Sequence, residues 1–148
     1  MNIAEITTRF VPTITPGTSL QAAAASMRMA QSGILPVVEQ GQLVGTLSEH
    51  DLVLKGYADG LDPLDAVVEQ VYDSAPIVCT GDFHLKAALE LMQQRQSTWL
   101  LVTGEADKIV GVVSLVELLD LLEQSIREES DGPEPNYVKR VRGEAAGG

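Results

Sequence analysis

Apolar positions recur along the chain in a pattern that repeats. Leu20, Ala23, Ala24, Met27 and Ala30 fall on one stripe of a 3.6-residue helix that Thr18 or Ser19 can open and Gly33 can end at its C′ position. A short apolar run at 34–38, the turn pair Gln40-Gly41 and a second run at 43–47 read as a hairpin. Ser48 then precedes a second helical stretch that begins at Leu52 and ends between Gly56 and Gly60. The same series follows downstream: a helix carrying Leu85, Ala88, Leu89 and Met92, a strand at 99–102, a turn at 104–107, a strand at 109–113, and a longer helix from Leu115.

An offset of 65 positions superposes the two series. It sets Ile3 and Ile6 on Val68 and Val71, Thr15 on Thr80, Leu20 on Leu85, Met27 on Met92, and Ser32 on Ser97. Beyond the hairpin turn the offset becomes 66, which sets Leu43-Val44-Gly45 on Ile109-Val110-Gly111 and Ser48 on Ser114. With a short extended lead-in before each first helix, the unit is β-α-β-β-α, an α/β (α+β) arrangement. A lone unit of about 60 residues buries little surface, so two units paired about a pseudo-twofold axis are expected. The boundaries predicted are 1–62 and 63–126. Residues 127–148, which include Asp131-Gly132-Pro133-Glu134-Pro135 and the basic cluster Lys139-Arg140-Val141-Arg142, read as a frayed helix end and a mobile, solubilising tail.

Composition narrows the class. Of 148 residues 45% are hydrophobic and 21% charged, which is the globular range, while aromatics at 4% leave the core to Val, Leu, Ile, Ala and Met. A formal charge of −11 argues against nucleic acid and against anionic membranes as partners, since both reward clustered cations. One cysteine, Cys79, excludes an internal disulfide and a thiolate-rich metal site and suits a reducing compartment. Neither a basic-then-apolar leader nor a run of about 18 apolar residues is present, so a soluble cytoplasmic protein is expected.

The order and duplication of Gly33-Ile34-Leu35-Pro36-Val37-Val38 followed by Leu43-Val44-Gly45-Thr46-Leu47-Ser48-Glu49-His50-Asp51-Leu52 resembles the cystathionine-β-synthase (CBS) domain family. The resemblance covers about 125 residues and includes the lead-in Ile3-Ala4-Glu5-Ile6-Thr7-Thr8-Arg9, echoed by Val68-Glu69-Gln70-Val71-Tyr72-Asp73. It implies a paired CBS, or Bateman, module: a non-catalytic regulatory unit, without cofactor, that binds an adenosine-containing ligand between its repeats and signals to a protein partner. It also implies a homodimer. The stripe Val67, Val68 and Val71 with Leu118, Leu119 and Leu122 offers apolar surface for that pairing.

Ser48 stands at a strand-to-helix junction, where free backbone amides and the helix dipole favour phosphate. Asp51, three residues on, can accept two hydrogen bonds from vicinal ribose hydroxyls, the use the family makes of its Ser/Thr-x-x-Asp. Ser48-x-x-Asp51 and Ser114-x-x-Glu117 also have the spacing of capping boxes, in which the side chains serve the helix itself. His50 either faces a phosphate or is an exposed first-turn residue. By the family's plan Ser48, His50 and Asp51 face Ile77, Val78, Thr98 and Trp99 across a first cleft, where Trp99 either stacks on adenine or packs as a bulky interface residue. A second cleft joins Ser114 and Glu117 to Pro12, Thr13, Gly33, Ile34 and Pro36. There Glu117 is one methylene longer than the family's Asp, and repeat two lacks the equivalents of Gly33 and Pro36.

No cation stands on the strand starts Gly33-Ile34 and Thr98-Trp99, and residues 63–125 carry many more acidic than basic side chains. AMP, adenosine or an S-adenosyl compound is therefore expected ahead of ATP, with Arg28 and Arg95 in the first helices as the nearest cations. His84 reads as a surface residue and Cys79 as an inward-packed thiol. No metal-ligand spacing, acid–base pair or activated nucleophile can be assembled, which leaves a ligandless dimerisation scaffold of the same fold as the alternative to ligand sensing.

Overall fold

The structure, a computed structural model, describes residues 9–76, 78–80 and 82–129; residues 1–8, Ile77, Gly81 and 130–148 lie outside it. The chain is α+β. Helix α1 (Leu20–Ala30) leads to the antiparallel hairpin β1 (Ile34–Glu39) and β2 (Gln42–Ser48) and then to a single α-turn, α2 (Glu49–Asp51), continued by a π-helical segment (Leu52–Tyr57). The second series is β3 (Val78–Thr80), α3 (Leu85–Arg95), β4 (Trp99–Thr103), β5 (Ile109–Ser114) and α4 (Leu115–Glu129). No described helix is long and apolar enough to cross a membrane.

The duplication persists at atomic detail. Ser19 caps α1 by accepting from the Ala22 amide, and His84 caps α3 by accepting from the Lys86 amide. Each helix ends on a left-handed glutamine, Gln31 and Gln96, whose amide returns to the last turn. The sequence assigned that end to Gly33; the chain instead reverses two residues earlier, at a glutamine that accepts the strained conformation. Ser32 and Ser97 then hydrogen-bond to the backbone of Ile34 and Trp99, each setting the start of a strand. The hairpin turn has positive φ at both Gln40 and Gly41, the conformation that matches the twist of paired strands.

Both sheets are completed across the repeats. Ile14 bridges Val37 in parallel as Cys79 bridges Val102, so each lead-in flanks its own hairpin. On the far edges the partners exchange: Asp73, ahead of repeat two, pairs with Thr46 on β2, and Arg9, ahead of repeat one, pairs with Val112 on β5. Ala66, Val68 and Val71 consequently sit in the core of repeat one, together with Leu101 and Val112 of repeat two. A second core gathers Cys79, Leu85, Ala88, Met92, Leu100, Val102, Val113 and Leu118. The apolar stripe expected to face a second copy is thus largely internal: Val68, Val71 and Leu118 are buried, and only Leu119 of the six is freely exposed.

Gly45 lets Asp73 approach. A Cβ there would collide with the Asp73 carbonyl oxygen and lie 2.5 Å from the Tyr72 ring. Gly45→Ala is therefore expected to destabilise the fold by about 1–3 kcal/mol, as overpacking does, read from the urea midpoint. Burial pushes the Cys79 thiol from 9.0 up to about 11. Between those values only the unfolded thiol ionises, so unfolding releases a proton and this residue's contribution to stability falls as pH rises. At pH 8 the native thiol is expected to react with Ellman's reagent only as fast as the protein opens; an immediate stoichiometric reaction would refute its burial.

Candidate functional site

Ser48 ends β2, and its junction with α2 is fixed by a reciprocal pair of hydrogen bonds. The Asp51 amide donates to Ser48 Oγ and the Ser48 amide donates to Asp51 Oδ2, each at 3.0 Å. The Glu49 amide donates to the Gly33 carbonyl at 2.9 Å. The expectation of free first-turn amides for a phosphate is thereby corrected. Two of the three amides of this turn are committed to the chain itself, and the α-helical stretch behind them is a single turn. Asp51 is buried; its other oxygen, Oδ1, lies 3.3 Å from Lys55 Nζ at i+4.

A cavity of about 640 Å³, within the range of small-molecule sites, opens beside this turn. Ser48, His50 and Asp51 line it from repeat one, and Thr98 and Trp99 line it from repeat two, across the junction of the repeats. Gly33 and Ile34, assigned from the sequence to the other cleft, line this one. A Cβ on Gly33 would collide with Trp99 Nε1 and lie 2.8 Å from Glu49 Oε1, so the absent side chain is what lets the indole sit against the α2 turn. Val78 packs against the first core and is not in the lining, and Ile77 is outside the described residues.

Several lining residues were not singled out from the sequence. Glu49 lies between two that were, Ser48 and His50. Val53 and Leu54 are turned to the cavity from the π-helical segment, where the sequence predicted an ordinary helix from Leu52. Asp73 arrives through the exchange of lead-ins, and Arg95, Gln96 and Ser97 from the end of α3. Arg95 places a cation at a cavity whose strands carry none, and among the described residues it forms no ion pair.

The residues assigned to the second cleft are less united. Pro12 and Thr13 are exposed, Pro36 is buried in β1 opposite Thr46, and Ser114 and Glu117 form the counterpart of the Ser48 turn. The Glu117 amide donates to Ser114 Oγ at 3.2 Å and Ser114 Oγ donates to Glu117 Oε1 at 3.0 Å. Glu117 Oε1 also lies 3.5 Å from Arg9 Nη2.

Comparison with known proteins agrees with this architecture. The CBS domain family model matches residues 3–56 and 68–124. The chain is 34% identical over 117 residues to the meiotically up-regulated gene 70 protein of Schizosaccharomyces pombe, with 78% of this chain matched but only 16% of that far longer protein. It is 32% identical to the CBS domain-containing protein YhcV of Bacillus subtilis, over 79% of this chain and 82% of that one. Among solved structures, Hypoxic Response Protein I with two coordinated zinc ions is 27% identical, with a TM-score of 0.69 over 81% of this chain and 98% of that one. CBSX2 in complex with AMP is 20% identical, with a TM-score of 0.69 over 83% and 96%. Two matched repeats, each with its hairpin and its Ser-led helix turn, place this chain in the CBS-domain family.

Proposed function

We propose that the chain is a non-catalytic regulatory module that binds an adenosine-containing ligand, AMP foremost, in the cleft between Ser48–Asp51 and Thr98–Trp99 and signals its occupancy to a protein partner. The observation that carries this reading is a cavity lined both by a buried carboxylate of one repeat and by an indole of the other. Asp51 Oδ1, held from behind by Lys55, accepts the ribose hydroxyls, and Trp99 offers a face to the base. Arg95 meets the phosphate, with His50 beside it. Its presence raises AMP above adenosine, while Glu49, Asp51 and Asp73 in the same lining oppose further phosphates. The AMP complex of the fold neighbour CBSX2 is consistent with such a cleft.

One observation favours the scaffold reading: the Ser48–Asp51 box and the Lys55 pair satisfy this turn from within the chain. Calorimetry separates the two. Asp51→Asn keeps an oxygen for the Ser48 amide and is expected to weaken AMP binding tenfold to a hundredfold, a charged hydrogen bond being worth about 1.5–3 kcal/mol. Arg95→Met is expected to lower AMP affinity while leaving adenosine affinity unchanged. Absence of AMP binding to the native chain would leave the scaffold.

Pairing with a second copy belongs to the same proposal, through a changed surface. Outside the cavity lining, Tyr57 after α2 and Val116 and Leu119 on α4 are exposed apolar residues on equivalent elements of the two repeats. Covering them favours a homodimer. Light scattering across the micromolar range is expected to give twice the chain mass; a constant mass near 15.8 kDa would refute it.

A further inference from the structure

The repeat gives the Ser48 turn a counterpart at the Ser114 turn, and the strand exchange sets opposite charges against equivalent positions of β2 and β5, Asp73 on Thr46 and Arg9 on Val112. Asp73 and Thr46 exchange backbone hydrogen bonds of 2.9 and 3.0 Å, and Arg9 and Val112, the repeat counterpart, exchange two of 2.9 Å. Asp73 lines the first cleft; Arg9 bridges Val112, the repeat equivalent of Thr46, on the strand that leads to the Ser114 turn. Its guanidinium reaches inward from there. Nη1 donates to the Gln31 carbonyl, Nη2 lies 3.5 Å from Glu117 Oε1, and the guanidinium carbon lies 5.6 Å from the centre of the Trp99 ring. The repeat counterparts of Gln31, Glu117 and Trp99 are Gln96, Asp51 and Ile34, all of which line the first cleft.

From these contacts we propose that Arg9 is a built-in occupant of the second cleft. Its guanidinium takes the Glu117 carboxylate that a ligand would need there and lies against the Trp99 wall shared with the first cleft, so the chain holds one small molecule, in the first cleft, while Arg9 stays paired with Val112. A planar fork of donors that also stacks on a ring is suited to this substitution, and a lysine would not reproduce it. An arginine keeps its charge throughout the physiological range, so pH does not release it. The ion pair is partly exposed, with side chains 37% and 28% accessible, so the plug is open to competition from salt and from an anionic ligand.

The inference rests on the proposed AMP reading for its stoichiometry, but not for its second readout. Trp99 is the sole tryptophan, so its quenching by acrylamide reports the covering guanidinium without any ligand. Arg9→Met keeps the strand pairing and the apolar stem and removes the fork. Titration calorimetry with AMP is expected to give one site per native chain and two per Arg9→Met chain, and Trp99 in the variant is expected to be quenched more steeply. Two sites in the native chain, or one in both, would overturn the plug and leave the first cleft intact. If AMP binds neither protein, the functional reading fails. Quenching then decides the plug: a steeper slope in Arg9→Met upholds it, and an unchanged slope overturns it.

Discussion

A two-stranded hairpin leaves both outer edges unpaired, and in each repeat here the two edges are closed by different means. The inner strand takes the repeat's own lead-in, Ile14 against Val37 and β3 against β4. The outer strand takes the other repeat's lead-in, Asp73 on Thr46 and Arg9 on Val112. Buried backbone groups must be paired, so this exchange is what obliges the two repeats to fold against each other. It also explains why Ala66, Val68 and Val71 fill the core of repeat one although they precede the elements of repeat two. The cavity between the repeats follows from the same crossing, since Asp73 reaches its lining only through that pairing.

What the cleft presents is chiefly side chains, because two of the three amides of the Ser48 turn are engaged by the chain. The first-turn amides of Glu49 and Asp51 are spent on Gly33 and Ser48, so a short helix end that would otherwise attract an anion is neutralised by the chain. What remains is a carboxylate oxygen braced by Lys55, an indole pressed against Gly33, and a lone arginine at the end of α3. Capping and ligand contact therefore need not exclude each other at Asp51. One oxygen holds the turn and the other is exchangeable, its current partner being an exposed lysine.

Duplication would make two equal clefts only if the corresponding residues were equal. Asp73 and Arg9 differ in sign, Asp51 and Glu117 differ by a methylene, and Ile34 and Trp99 differ in size, so the surroundings of the two Ser-led turns diverge by side chain while the backbone repeats closely. The second core has a full α-helix, α4, where the first has one α-turn and a π-helical segment. That difference turns Val53 and Leu54 toward the first cleft.

The sequence by itself determined the repeat, the order of elements and the two hairpins with their turns, because these depend on local periodicity and on the internal offset; the meeting of Ser48, His50 and Asp51 with Thr98 and Trp99 was implied only by the family resemblance. The spacing of Ser48 and Asp51 also announced their reciprocal cap. Three things were decided only in three dimensions. Helix α1 ends at Gln31 because the backbone reverses as soon as its cap bonds close, which frees Gly33 for contact with Trp99. Arg95 and Asp73 enter the cleft because helix end and lead-in are brought there by packing, with no motif of their own. Arg9, one basic residue in an unremarkable lead-in, meets Glu117 and Trp99 because strand exchange carries it across the junction, and pairing between segments about a hundred residues apart leaves no trace in local pattern.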